Sequence, residues 1–440
     1  MGPLAHDGAQ AVTEYARILP PQNVPAARER PRVVAAVQPP RTPVVLLLGN
    51  YRPALAVARS LSRHGYRIML GLGGGEGCGE YSRFVDESWD HPELGGNGEE
   101  LFASLLALLE ARREIEVIYP VAEEFVRFVA ERANELPERV TVASPRGDIV
   151  RTCCDKLALL HIAQKRGVGH LPFQVVSALD ELTAAANDIG FPVVIRPLNN
   201  LIRLGHKKAL IAADAEALQK LLPRWPDGQE KLLLQRYANG ERRNVFFAAQ
   251  HGRILRAVET RILRTDRTDG TGLAVDGETV LPTPQLVEDT AALLASLNYT
   301  GIGLAQFILD PESGRSCFLE LNPRIAGSHA ITEQVGADLS GFAIDLARKE
   351  LFVPDAFSYR TGMRYAWIYG DLRGLLHALR CREIGPVQAT RWTLQILWSA
   401  FTADLHQTWQ RDDPMPTIML FLRLLGLAGG HSEVSRQGSR

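Results

Sequence analysis

Two short apolar runs on either side of residue 312 constrain this chain more than any other stretch. Residues 304–309 and 316–321 carry strand-type patterns, and the turn sequence Asp310-Pro311-Glu312-Ser313-Gly314 separates them. Together they predict an antiparallel β-hairpin. Side chains two apart on a strand leave the same face. Glu320 and Asn322 therefore project together from the end of the second strand, and Gln306 on the first can face them across the hairpin. Three oxygen-bearing side chains in one place suit Mg²⁺, which completes its shell with water and phosphate oxygens. Arg324 follows at the strand end, placed to offset charge on a transferring phosphoryl group.

Upstream, residues 44–145 alternate strand signals (44–48, 66–70, 117–119, 140–143) with helix signals (54–64, 101–109, 125–134). That alternation predicts an α/β unit whose parallel sheet is covered on both faces. The Gly-rich string 71–79 is not a dinucleotide fingerprint, because that motif directly follows the first strand and opens a helix. Here the first turn reads Gly49-Asn50-Tyr51-Arg52-Pro53-Ala54. Residues 154–166 are helical. A second mixed block follows, with strands at 192–196, 231–237 and 245–249 and helices at 213–222, 284–297, 330–335 and 342–350. Residues 356–440 hold four of the six tryptophans, with helices expected around 371–381 and 391–405. The Pro-, Ala- and Arg-rich residues 1–41 read as a flexible leader and the polar residues 429–440 as a disordered tail.

At 440 residues the chain exceeds one ordinary domain, and 46% apolar residues are enough for a sizeable core. Its 49 basic and 50 acidic residues leave a net charge of −1, which argues against nucleic acid or an anionic membrane as partner. Five cysteines, the only close pair being Cys153-Cys154, form neither a zinc nor a disulfide pattern. A reducing cytoplasm is expected. No run reaches the length of a membrane span, and no secretory signal pattern opens the sequence.

The combination of Gln306 with Glu320-Leu321-Asn322-Pro323-Arg324 closely resembles the ATP-grasp enzymes, in the version found in the large chain of carbamoyl-phosphate synthetase. The resemblance covers roughly residues 44–350. It implies an α/β and α+β chain: a Rossmann-like N-terminal domain (42–150), a two-lobed ATP-grasp domain (151–355, hinge near 235–241) and a mostly helical C-terminal extension (356–428). It also implies two Mg²⁺ ions, or Mn²⁺, on the phosphates of ATP, held by Gln306, Glu320 and Asn322, with Arg324 contacting phosphate. Asp155-Lys156 opens a helix where the family has a phosphate-contacting cation, so Lys156 takes that role or is a surface lysine. Residues 191–197 resemble the strand with a second such cation, Arg196, whose alternative is a strand-end ion pair. Residues 232–237 followed by Gly240-Glu241 resemble the inter-lobe hinge. Adenine is then read at Gln235 and Tyr237, and Glu241 either binds ribose or is an exposed turn residue.

Two departures stand out. The family's glycine-rich flap over the phosphates corresponds to residues 199–208, where Gly205 alone remains among Arg203, His206 and Lys207. The hinge carries Arg236 where a carboxylate is common. Arg261 and Arg264 precede the Gly-rich loop 268–272 and suit either a substrate carboxylate or surface ion pairs; Arg264 is the catalytic candidate. His329 reads as a packed or capping residue before it reads as a base. The implied activity joins a small-molecule carboxylate to an amine through an acyl phosphate, releasing ADP and phosphate. Its alternatives are bicarbonate or carbamate activation, and a nucleotide-binding pseudo-ligase acting as sensor or scaffold. The resemblance also suggests a homodimer.

Overall fold

Every residue of Val44–Leu48 (β1) is buried, as a strand covered on both faces requires. In the computed structural model, β1 is the middle strand of a parallel sheet with β2 (Arg67–Gly71), β3 (Glu87–Trp89), β4 (Ile115–Pro120) and β5 (Thr141–Val142), in the order β3-β2-β1-β4-β5. The structure describes residues 42–427 except 74, 76, 97, 199–203, 205–208 and 353–356. The expected leader, the expected tail and all of the flap but Leu204 lie outside the described residues. The Gly-rich string wraps the turn after β1: Gly77 donates its N–H to the Asn50 carbonyl at 2.6 Å, and Gly79 to Asn50 Oδ1 at 3.0 Å. A Cβ on Gly77 would sit 2.6 Å from that carbonyl oxygen. Close approach to the backbone explains the glycine there, with no dinucleotide involved.

A second, antiparallel sheet holds β6 (Phe173–Val176), β7 (Val193–Pro197), β8 (Leu210–Ala212) and β9 (Leu232–Arg236), ordered β6-β9-β7-β8. The helices Leu179–Ile189 and Ala215–Leu221 close its core around Val176, Ile195, Leu232 and Leu234. The helix predicted over 154–166 is Lys156–Lys165, and a second helix, Gly147–Cys154, precedes it where none was predicted. The break is at Asp155, whose carboxylate accepts the N–H groups of Leu157 (2.9 Å) and Ala158 (3.0 Å) as an N-cap.

The third sheet contains β10 (Glu241–Gln250), β11 (Arg253–Thr265), β12 (Ala274–Thr279), β13 (Gly301–Leu309), β14 (Ser316–Asn322), β15 (Arg364–Ala366) and β16 (Leu405–His406). Their order is β14-β13-β10-β11-β12-β15-β16. The predicted hairpin is β13–β14. Strands β11 and β12 escaped prediction. β11 carries four arginines in 13 residues with no clean alternation, and its extended state is held by β10 on one side and β12 on the other. Residues 356–428, expected to be mostly helical, also add β15 and β16 to this sheet, strands of three and two residues too short to leave a pattern. The helices of that segment are Ile368–Arg380, Pro386–Thr402 and Met415–Leu424. Among the described residues no helix is long and apolar enough to cross a membrane, and all five cysteines are free.

Candidate functional site

Strand register assembles the site. Gln306 on β13 lies opposite Glu320 on β14 and opposite Asn244 on β10, and Leu304 pairs with Asn322. Period-two geometry therefore puts Asn244, Gln306, Glu320 and Asn322 on one face of the large sheet. All four line a cavity of about 380 Å³, walled on the other side by Val194 and Arg196 of β7 and Gln235 of β9. Gln306 Nε2 donates to Asn244 Oδ1 (2.9 Å), and Asn322 Nδ2 donates to Glu320 Oε1 (2.9 Å). With the amide nitrogens so engaged, the two amide oxygens and the carboxylate form an oxygen donor set. That chemistry fits a hard divalent cation.

Several cations line the cavity, Lys156 and Arg52 buried and Arg196, Arg242 and Arg324 half-buried. Lys156 is buried, with Nζ donating to the carbonyls of Pro197 (3.0 Å) and Leu198 (3.3 Å), so the surface-lysine reading is wrong. Arg196 donates through Nε (3.0 Å) and Nη2 to Gln235 Oε1, an amide and not a carboxylate. Burial pushes its guanidinium pKa down, and Glu320 opposes that shift. Gln235 lines the cavity, and among the described residues its buried Nε2 has no hydrogen-bond partner. Arg324 lines the same space. Its Nη1 donates to the Ile325 carbonyl (3.0 Å) and its Nη2 lies 3.6 Å from Glu123. Tyr237 lines the cavity too, but its N–H is given to the Pro192 carbonyl (2.8 Å), and that of Arg236 to Pro172 (3.0 Å). Neither hinge amide is open to a base; the next along the wall belongs to Ala238.

Two candidates, Glu241 and Arg264, are corrected. Glu241 does not line the cavity. It sits one residue out of phase with Arg242 and Asn244, so it projects from the other face of β10. There it accepts from Arg243 (2.6 Å) and Arg261 (2.9 Å). Burial alone would raise the Glu241 pKa, but these two arginines hold it below the ordinary carboxylate value. Arg261 in turn also pairs with Glu278. Arg264 is bound to Asp371 of the Ile368–Arg380 helix, with Nη1 3.0 Å from Oδ1, and to Ser399 Oγ at 3.2 Å. It anchors the C-terminal helices and is absent from the cavity wall. Gly205 lies outside the described residues. His329 is 1% exposed, with Nε2 2.9 Å from Ser340 Oγ and 3.2 Å from Glu333, so it is packed as expected.

Replacing Glu241 with glutamine is accordingly expected to leave the Michaelis constant for ATP within about twofold and to lower stability by no more than about 1 kcal/mol, the worth of a partly exposed pair. Steady-state kinetics and a urea melt measure both. A large rise in that constant would return Glu241 to the nucleotide.

Sequence reasoning missed Arg242, Asn244, Arg52 and Glu123, all of which line the cavity. Arg242 donates to the carbonyls of Gly270 (2.8 Å) and Gly272 (3.1 Å), and burial lowers its pKa. The signal for Arg242 and Asn244 was present. Starting β10 at Glu241 instead of 245 puts both in phase with Gln306.

Residues 279–351 match the family described as carbamoyl-phosphate synthase L chain, ATP binding domain. The chain is 26% identical over 257 residues to biotin carboxylase 1, chloroplastic, of Populus trichocarpa, covering 55% of this chain and 45% of that protein. It is 22% identical over 364 residues to a pyruvate carboxylase polypeptide of Methanothermobacter thermautotrophicus, covering 77% and 68%. It spans about half the length of several carboxylase relatives it matches. The biotin carboxylase of Campylobacter jejuni, solved as a β-γ-ATP complex, superposes with a TM-score of 0.58 at 17% identity over 73% of this chain and 74% of that one. The parallel first sheet, the two further sheets with a cavity between them and these matches together give the chain an ATP-grasp fold, with residues 279–351 similar to the ATP-binding domain of the carbamoyl-phosphate synthase large chain.

Proposed function

We propose that the protein is an ATP-dependent ligase that joins a carboxylate to an amine through an acyl phosphate. The supporting observation is one cavity that combines the oxygen donors Gln306, Glu320 and Asn322 with four cations, the buried Lys156 and the half-buried Arg196, Arg242 and Arg324. A triphosphate needs both, a donor set for its metal and positive charge for its oxygens. Gln306, Glu320 and Asn322 would hold Mg²⁺, as two ions or with Mn²⁺ in its place, which would supply neutralisation of phosphate charge.

Lys156 and Arg196, from the small-sheet side, orient the phosphates. Gln235 and Tyr237 stand beside the base. A substrate carboxylate oxygen attacks the γ-phosphorus in line, the bond to the β–γ bridging oxygen breaks, and ADP leaves. Arg324 counters the charge that spreads over the transferring group. The amine nitrogen then attacks the acyl carbon, the carbon–oxygen bond to phosphate breaks, and the nitrogen loses its proton. Walls that exclude water protect the acyl phosphate from hydrolysis.

Bicarbonate as the acid is a second reading, favoured by the carboxylase names of the relatives. An ADP-release assay over a panel of acids, bicarbonate included, each with and without amines, separates the readings. ADP formation that requires one acid and one amine supports the ligase. ADP formation with bicarbonate supports the second reading. Calorimetric binding of MgATP with no turnover across the panel points to a nucleotide-binding scaffold.

A further inference from the structure

Arg52 is the first residue of the Arg52–Arg63 helix, whose N-terminus has no side-chain cap and whose first turn holds no acidic residue. Its side chain reaches the cavity wall and is 9% exposed. Nη1 donates to the Ala274 carbonyl at 3.3 Å, and the guanidinium lies 3.7 Å from the centre of the Trp367 ring. Among the described residues its buried Nε has no hydrogen-bond partner. Gly327 leaves the room it occupies, since a Cβ there would fall 2.1 Å from Nη2. Among the described residues no carboxylate makes an ion pair with Arg52; Tyr365 and Asp266 act on it only at longer range. Burial lowers its pKa to about 10, so it stays charged at neutral pH. A buried cation without a counter-ion destabilises a fold, and so does an unsatisfied donor. An anion arriving in the cavity relieves both, and an uncapped helix N-terminus favours the same charge.

We infer that Arg52, at the open start of its helix, is the seat for an oxyanion of the non-nucleotide substrate, with Trp367 holding the guanidinium plane. The assignment rests on the ligase reading for its choice of a carboxylate, and it replaces the Arg261–Arg264 fork expected from sequence. Arg52 arrives from the parallel first sheet and packs on Trp367 of the C-terminal segment, whereas Lys156 and Arg196 arrive from the side of the small sheet. The substrate is thus recognised by the two parts of the chain that flank the nucleotide-binding sheets. A phosphate monoester offers the same oxyanion chemistry, and the test distinguishes it from a carboxylate.

The full chain, saturated with MgADP, is titrated with succinate and, separately, with inorganic phosphate, each against sodium chloride of equal ionic strength. Tryptophan fluorescence, sensitive to Trp367, and the melting temperature are read in parallel. Saturable binding that weakens about tenfold or more in Arg52→Met is expected, with an intermediate loss in Arg52→Lys, which keeps the charge and loses the fork. The ligand-free Arg52→Met protein should melt no lower than wild type, because methionine fills the space without an uncompensated charge. A purely structural arginine would instead lose stability. Preference for succinate identifies a carboxylate, and preference for phosphate identifies a phosphorylated substrate. Equal binding to wild type and Arg52→Met, or no binding of either anion to wild type, overturns the inference. None of these readouts needs turnover, so the two failures are distinct: wild-type protein that binds MgATP but forms no ADP with any acid and amine would defeat the ligase reading alone, and unchanged anion binding in Arg52→Met would defeat the Arg52 assignment alone.

Discussion

Replacing Glu320 with glutamine is expected to lower ADP formation by about 10³-fold or more while leaving the protein folded. Glutamine keeps the length and planarity of the side chain and removes only the charge. Of the three oxygen donors at the end of the β13–β14 hairpin, Glu320 alone is anionic. A divalent cation held by three neutral oxygens and water has little reason to stay in a cavity already lined by arginines. Glu320 has a second effect, since its charge favours the ionised forms of Arg196 and Arg242 against the burial that disfavours them. The variant should therefore also melt at a lower temperature, an effect that bound MgADP offsets only in part. Coupled-enzyme detection of ADP, circular dichroism and a thermal melt on the same sample separate lost chemistry from lost fold. ADP release at the wild-type rate from a folded variant would remove the assigned metal site.

Asp413→Ala is expected to destabilise the protein by about 3–5 kcal/mol, the range for breaking a buried ion pair from one side. Arg59 and Asp413 are 2% and 1% exposed and 2.8 Å apart. Asp413 also accepts from Ser82 Oγ (2.7 Å) and from the Arg83 N–H (3.0 Å), and Arg59 donates to the Thr408 carbonyl (2.8 Å). Burial lowers the Arg59 pKa, and the Asp413 carboxylate is the main force opposing it. Without that carboxylate a guanidinium is left in the interior unmatched. Urea unfolding should show a lower midpoint. Adding Arg59→Met to Asp413→Ala should recover much of the loss, because the stranded charge goes with it. An additive double mutant would show that the pair contributes through packing alone. Arg59 sits two turns beyond Arg52 on one helix, so this clamp also fixes where Arg52 meets Trp367.

The β13–β14 hairpin and its polar end were legible because each signal is local. Alternation runs from one residue to the next but one, and the Asp310–Gly314 turn carries its own chemistry. The parallel first sheet was legible for the same reason, from apolar runs spaced by helices. Asp155 was read as the start of a helix, and its capping bonds reach only two and three residues along the chain. The site residues that went wrong needed something else. Whether Glu241 or Arg242 faces the cavity depends on the register of β10 against β13, which no short window contains. Arg264 finds its partner 107 residues away in Asp371, and Arg52 its backbone acceptor 222 residues away at Ala274.

Local pattern in the chain was thus enough to specify the hairpin and the common face of Gln306, Glu320 and Asn322. Folding in three dimensions decided which arginines are bound to carboxylates (Arg261, Arg264) and which line the cavity instead (Arg52, Arg196, Arg242). The physical reason is that hydrogen-bond periodicity acts over a few residues, whereas the charge balance of a buried side chain is set by whatever distant element packs against it.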